Sequence, residues 1–181
     1  MSTSGDNPAR ERLEQAAQAL GKWLLESGRE KVVFAESCTA GLVAAELATV
    51  PGISQYLCGS MVTYREPSKT AWLGVDPQQL QQFSAVSQQV TDAMAAGVLQ
   101  LTKEASWSAA VTGHLGPGAP ADLDGRIFIT VACRGSRDST GGIVQQSALQ
   151  LRSSSRRDRQ AEAAAVVLET LAREMQRAIE N

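Results

Sequence analysis

Four consecutive side chains that could carry chemistry lie in the stretch FAESCTAG, residues 34–41. Glu36, Ser37, Cys38 and Thr39 place a carboxylate, two hydroxyls and a thiol between an apolar run and a helix-like segment. In open α/β sheets, ligands bind beyond the carboxyl ends of strands, where the following helix presents free N–H groups. The stretch therefore fits a reaction centre with a serine nucleophile. A hydroxyl of Ser37 or Thr39 that only caps the helix explains it equally well.

The carboxylate of Glu36 comes at the end of a run that reads as a buried strand. A carboxylate in that position costs free energy unless it is paired or hydrogen-bonded. Glu36 therefore predicts either a partner within the protein or a ligand.

A second polar cluster follows in MVTYREPSK, residues 61–69. Tyr64 and Lys69 come at the end of a predicted strand and in the turn after it, so both are expected at the same rim of the sheet as Ser37. A lysine next to apolar surface loses its proton more readily and could act as a base towards a serine hydroxyl. A solvated surface lysine is the alternative.

The third feature is the loop in VTGHLGPGAPADLDG, residues 111–125, which is rich in Gly and Pro. Its glycines allow close backbone approach, and successive N–H groups in such loops can hold a phosphate or an oxyanion. His114, the only histidine of the chain, lies in this loop. It is a candidate acid or base, or else a solvent-facing turn residue.

Hydrophobic periodicity predicts alternating helices and strands, with one β-β step near the end of the chain. This order favours a three-layer α/β/α sandwich with a mixed, mostly parallel sheet. We expect a flexible leader over residues 1–9 and a single domain over residues 10–181. The predicted helices are residues 10–27, TAGLVAAELATVPG, EPSKTAWLGV, DPQQLQQF, a longer helix begun by Ser87, and the C-terminal RDRQAEAAAVVLETLAREMQRAIE.

Composition excludes several classes of function. A net charge of −2 and an aromatic content of 4% do not fit the basic surface of a nucleic-acid-binding protein. No apolar run is long enough for a membrane helix, and no signal peptide is recognisable, so we expect a cytoplasmic location. The three cysteines, Cys38, Cys58 and Cys133, form neither a zinc motif nor a disulfide framework, and no metal site is predicted.

Together, AESCTAG, VTYREPSKTAWLGV, SAVSQQV and VTGHLGPG resemble, in order and spacing, the CinA C-terminal domain family. The resemblance covers about Val32 to Arg156. It implies a nicotinamide-nucleotide amidase, which hydrolyses the carboxamide of nicotinamide mononucleotide to nicotinate mononucleotide and ammonia. It also implies a homo-oligomer, dimer or higher, without a metal or organic cofactor.

By this resemblance Ser37 is the nucleophile, and Lys69 and Tyr64 relay protons. The backbone N–H groups at the start of the next helix would stabilise the oxyanion. The substrate-binding residues would be Glu36, Thr39, Thr112, Gly113, Gly116, Gly118 and Arg156, with Arg156 and the glycine loop suited to the phosphate.

The sequence also departs from the family pattern at several positions. Ala40 replaces a glycine, His114 and Leu115 replace an Ile-Ala pair, and Ser154 and Ser155 replace a Gly-Asp pair. The competing interpretation is a catalytically altered paralogue that binds a nucleotide without hydrolysing it.

Overall fold

The computed structural model describes residues 7–135 and 142–180. Within these residues the chain forms five strands and six α-helices. Helix α1 begins at Pro8, so the last two residues of the expected leader are helical, whereas residues 1–6 lie outside the described part. The elements are α1 Pro8–Ser27, β1 Val32–Glu36, α2 Leu42–Leu47, β2 Leu57–Val62, α3 Glu66–Leu73, α4 Pro77–Phe83, α5 Gln88–Leu101, β3 Trp107–Gly113, β4 Arg126–Cys133, β5 Gly142–Gln150 and α6 Arg156–Glu180.

The five strands form one sheet in the order β2-β1-β3-β4-β5. Strand β1 pairs in parallel with β2 and β3, and β4 runs antiparallel to both of its neighbours. Four strands therefore share one direction and β4 opposes them, which confirms the mixed, mostly parallel sheet. The chain makes two successive β-β steps, from β3 to β4 and from β4 to β5, where the sequence predicted one.

The sheet is covered on both faces, which confirms the α/β sandwich. Successive side chains of a strand point to opposite faces. In β1, Val32 and Phe34 pack in a core with α1 and α6, whereas Val33 and Ala35 pack in a second core with α5. All five residues of β1 are buried, as expected of a central strand covered by helices on both sides.

Helix α2 is shorter than the sequence predicted, because only Leu42–Leu47 is helical. Two consecutive residues before it, Ala40 and Gly41, have φ values of 53° and 96°. These left-handed conformations interrupt any helix, and alanine adopts them only at a steric cost. By contrast, α5 begins where expected, since the Ser87 hydroxyl accepts a hydrogen bond from the Val90 N–H at 3.3 Å.

The topology brings the three polar clusters of the sequence to one edge of the sheet. Strands β1, β2 and β3 are parallel and adjacent, so the residues that follow their carboxyl ends lie together. The last helix, α6, begins at Arg156, and this residue faces the same edge. None of the helices in the described ranges has the length and apolar character needed to cross a membrane.

Helices α3 and α5 approach closely at Gly97, and this contact yields a prediction. A Cβ added to Gly97 would overlap the carbonyl oxygen of Leu73. Helix propensity alone favours alanine over glycine by about 1 kcal/mol, but overpacking costs about 1–3 kcal/mol. We expect Gly97→Ala to lower the free energy of unfolding measured in urea. Gly142→Ala, where an added Cβ meets open space, is the control. A Gly97→Ala protein as stable as the control would contradict the close packing of α3 on α5.

Candidate active site

A cavity of about 290 Å³ lies beyond the carboxyl ends of β1, β2 and β3. All three polar clusters contribute to its wall, together with the start of α6. Among the described residues, no aspartate or glutamate lines it, whereas one lysine, one histidine and one arginine do. The lining residues are Ser37, Cys38, Tyr64, Lys69, Ala85, Val86, Gly113, His114, Leu115, Gly116, Pro117, Gly118, Ala119, Pro120 and Arg156.

A larger cavity, of about 420 Å³, lies between β5, α1 and α6. Both of its glutamates are already hydrogen-bonded within the protein. Arg12 donates two hydrogen bonds of 2.7 Å to Glu169, and the Glu162 carboxylate accepts from the N–H groups of Arg152 and Ser153. The smaller cavity is therefore the better candidate for chemistry.

Lys69 is buried, with only 1% of its surface exposed, so the alternative of a solvated surface lysine is wrong. Its Nζ donates to the carbonyl oxygen of Thr63 at 2.9 Å and to Sδ of Met94 at 3.3 Å. Burial lowers the pKa of Lys69 from 10.5 to about 8, while weaker interactions with Cys38 and Glu66 act in the opposite direction. At pH 7 about a tenth of the amine is therefore unprotonated and able to accept a proton.

Ser37 is held in a tight turn at the end of β1. Its N–H donates to the carbonyl oxygen of Val111 at 3.1 Å, and its own carbonyl accepts from the N–H of Ala40 at 3.1 Å. Gly41 occupies the N-cap of α2, and the N–H groups of the helix start donate to the Glu36 carboxylate and not to a hydroxyl of residue 37 or 39. The helix-cap explanation for Ser37 and Thr39 is therefore wrong. Ser37 lines the cavity instead.

The helix start is bound by Glu36, which lies outside the cavity wall. Its carboxylate accepts from the N–H groups of Gly41 at 2.9 Å, Val43 at 3.1 Å and Ala44 at 3.1 Å. It also accepts from the Ser60 hydroxyl at 2.9 Å. Glu36 therefore has the protein partner that the sequence allowed as one of two possibilities. The same N–H groups were expected to stabilise the oxyanion, but they already donate to this carboxylate.

The structure separates two further expected binding residues from the cavity. The Thr112 hydroxyl is buried and hydrogen-bonded to that of Thr91 at 2.8 Å. Thr39 is buried too, and its carbonyl oxygen accepts from Nε2 of Gln160 at 2.9 Å. The three expected glycines, Gly113, Gly116 and Gly118, do line the cavity.

Cys38 lines the cavity next to Ser37 but is poorly suited to nucleophilic attack. The thiol is buried, and burial raises its pKa to about 12. Because the thiolate is the reactive form, a thiol with this pKa is inert at neutral pH.

Arg156 connects two walls of the cavity. Its guanidinium donates to the Tyr64 hydroxyl oxygen at 2.9 Å and to the carbonyl oxygen of Gly116. Since the Tyr64 oxygen accepts this bond, its own hydrogen remains available to a ligand. A guanidinium has five N–H donors, so Arg156 also keeps donors for an anion.

Sequence reasoning missed two groups that hold the glycine loop. Arg159, on α6, donates to the Asp124 carboxylate at 2.8 Å and to the Ser153 carbonyl at 2.8 Å. The ion pair with Arg159 lowers the pKa of Asp124. The acids of the loop and the arginines at the start of α6 were the available signal, but spacing alone does not pair them. Met94, next to Lys69, gave no signal, because its position matches an ordinary core residue of α5.

Within the described ranges, no group of three His, Cys, Asp or Glu side chains is placed to hold a metal ion. Among the described residues the cavity wall also carries no carboxylate, a ligand that most protein sites for hard cations use. Its chemistry is that of a hydroxyl, an amine and a phenol.

The fold and this cavity define an α/β sandwich protein with a serine and a buried lysine at the carboxyl edge of its sheet. The CinA C-terminal domain model matches residues 13–175, and the chain belongs to that family. A CinA-like protein of Mycobacterium tuberculosis is 43% identical over 118 residues, which cover 64% of this chain and 27% of the relative. One from Myxococcus xanthus is 41% identical over 106 residues, which cover 58% and 25%. The match thus spans about a quarter of the length of these curated relatives.

Solved structures agree with the fold. A competence/damage inducible protein from Agrobacterium tumefaciens superposes with a TM-score of 0.80 at 27% identity, over 100% of both chains. A competence-damaged protein (CinA) superfamily protein from Escherichia coli gives a TM-score of 0.77 at 25% identity, over 88% of this chain and 89% of that one.

The buried ammonium of Lys69 should make stability depend on pH. Because its native pKa of about 8 lies below the unfolded value of 10.5, the unfolded chain binds more protons between these values. The stability contribution of Lys69 is therefore complete above pH 10.5 and is lost as pH falls through 8. We expect Lys69→Met to unfold at a higher urea concentration than the unaltered protein at pH 7. That advantage should shrink by about 2 kcal/mol by pH 10. An advantage independent of pH would contradict a perturbed lysine.

Proposed function

We propose that this protein hydrolyses the carboxamide of nicotinamide mononucleotide, giving nicotinate mononucleotide and ammonia. The observation that carries the proposal is the Ser37 hydroxyl in the same cavity as a buried Lys69 whose pKa is about 8. Amide hydrolysis requires a nucleophile, a base to activate it and an acid to protonate the leaving nitrogen. A lysine with a pKa near the working pH can fill both proton-transfer roles.

The charge of the cavity supports a phosphorylated substrate. Lys69, His114 and Arg156 are its basic residues, and no acidic residue of the described part of the chain lines it. Arginine binds phosphate through several parallel N–H groups. The loop glycines Gly116 and Gly118, with φ values of 64° and 89°, let the backbone come close to a ligand.

In the proposed mechanism, the Ser37 oxygen attacks the carboxamide carbon while the Lys69 amine takes the hydroxyl proton. The tetrahedral intermediate collapses as its carbon–nitrogen bond breaks, and the Lys69 ammonium protonates the departing nitrogen, which leaves as ammonia. Water then attacks the acyl-serine ester, gives a proton to Lys69 and releases the carboxylate, and Ser37 regains its hydrogen. The Tyr64 hydroxyl, held by Arg156, donates to the reacting amide and shares in the proton transfer.

The Ser37 hydroxyl and Lys69 Nζ are not hydrogen-bonded to each other within the described structure. Catalytic hydrogen bonds are often long in the absence of substrate and shorten in the substrate complex. Both groups line one cavity of about 290 Å³, which leaves room for a carboxamide between them.

Ammonia release from nicotinamide mononucleotide tests the proposal. We expect turnover by the unaltered protein, with kcat/KM rising with pH up to about 8 as Lys69 loses its proton. Ser37→Ala should reduce kcat by at least about 10³-fold, and Lys69→Met by about 10²–10⁴-fold. Cys38→Ala should stay within tenfold, because the thiol is protonated. Normal turnover by Ser37→Ala would show that the serine is not the nucleophile and would assign that role to a bound water.

A protein that binds nicotinamide mononucleotide but releases no ammonia would be the altered, binding-only paralogue. Its melting temperature would still rise with nucleotide concentration by mass action. The left-handed Ala40, next to the Ser37 turn, is the structural feature that favours this second candidate.

Arg156 should determine the preference for a phosphorylated substrate. We expect Arg156→Gln to raise KM for nicotinamide mononucleotide by about tenfold or more, since hydrogen bonds to charged groups are worth about 1.5–3 kcal/mol. Nicotinamide riboside, which lacks the phosphate, should show a smaller change. Equal losses on both substrates would instead assign Arg156 to positioning Tyr64.

The homo-oligomeric state and the cytoplasmic location remain expectations. Light scattering of the purified protein checks the oligomeric state.

A further inference from the structure

The Lys69 amine donates to two acceptors, and neither of them is charged. A lysine ammonium has three N–H donors. One donates to the carbonyl oxygen of Thr63 and a second to Sδ of Met94, so one remains for a group in the cavity. A thioether is a weak acceptor. No carboxylate in the described part of the chain forms an ion pair with Lys69.

The Met94 side chain reaches the Lys69 amine from helix α5. It lies on α5, fully buried, in the core between α5 and the sheet. Apolar neighbours in that core include Val90, Val98 and Ala35. Leucine is similar in volume to methionine and would fill the same space. Packing alone therefore does not require sulfur at this position.

We propose that Met94 is a positioning residue that holds the Lys69 amine at the cavity while leaving it free to lose its proton. A weak acceptor orients the amine through its N–H but stabilises the ammonium only slightly. A carboxylate or amide at the same position would orient it as well, but would stabilise the ammonium and remove the base. The inference rests on the proposed amidase function, because it assigns a role to Met94 in that reaction.

Other charged or titratable groups near Lys69 must be considered before pH effects are assigned to Met94. Cys38 faces Lys69 from the turn after β1, and Glu66 faces it from the same helix, α3. The Cys38 thiol has a pKa of about 12 and stays neutral below pH 10. From the residue after β2 and from α5, the contacts are the uncharged carbonyl of Thr63 and the thioether of Met94. His114 and Arg156 share the cavity, so a His114→Gln background separates any imidazole titration.

Two substitutions of Met94 have opposite predicted effects on the pKa of Lys69. Met94→Leu removes the acceptor and should lower that pKa. Met94→Gln supplies an amide oxygen, a stronger acceptor, and should raise it by about one unit. At pH 7 this leaves about tenfold less neutral amine, so kcat/KM should fall about tenfold and recover near pH 10. Simple damage to packing would not be rescued by pH.

The experiment measures the pH dependence of kcat/KM for ammonia release, and in parallel the titration of the Lys69 ¹³Cε resonance by NMR. The buried Met175, in the other core, provides the control variant Met175→Leu, whose midpoint should match the unaltered protein. The expected order of midpoints is Met94→Leu, then unaltered protein, then Met94→Gln. Any other order among folded variants overturns the proposal.

Two features keep the test decisive. Should Met94→Gln fail to fold, a Met94→Leu midpoint that is not below that of the unaltered protein still overturns the inference. The NMR titration needs no turnover, so it tests the contact between Met94 and Lys69 even if ammonia release is absent. Absent release with the expected NMR order would refute the amidase function alone. Normal release with unshifted NMR midpoints would refute the role of Met94 alone.

Discussion

The geometry of the site depends on one buried carboxylate. Glu36 ends the central strand and binds three backbone N–H groups of the following helix start and one hydroxyl of β2. An ionised group that is 1% exposed is tolerated only because these four donors surround it. The bonds draw α2 back against the strand, so residues 37–41 must turn within a short distance. This turn places the Ser37 hydroxyl on the cavity wall.

Helix α6 holds the other side of the cavity through its first residues. Arg156 binds the Tyr64 hydroxyl and the Gly116 carbonyl, and Arg159 binds Asp124 at the far end of the same loop. Gln160 adds a hydrogen bond to the carbonyl of Thr39, in the Ser37 turn. Side chains within one and a half turns of one helix therefore fix segments that follow three different strands. The rigid core between α1, α6 and the sheet supports these contacts.

Much of the fold follows from local signals in the sequence. The run KVVFAE is recognisable as a strand because β1 is covered on both faces and its residues are therefore mostly apolar. Ser87 marks the start of α5 because its hydroxyl caps that helix. The meeting of three polar clusters also follows, since parallel strands end at one edge. The short α2 does not follow, because alanine at a left-handed position gives no turn signal. The hydrogen-bond partners of Glu36 could not be predicted either, because hydrogen bonds from a side chain to backbone groups elsewhere in the chain leave no pattern in the sequence.

Lys69 has a consequence for how this chain can change over time. A buried amine with a lowered pKa weakens the native state at neutral pH, so many apolar residues at position 69 would give a more robust protein. Loss of this lysine would therefore be an easy route to higher stability. Proteins commonly accept such weakness only at functional sites. Lys69 is therefore a position where the fold gives up stability to keep an amine beside the cavity.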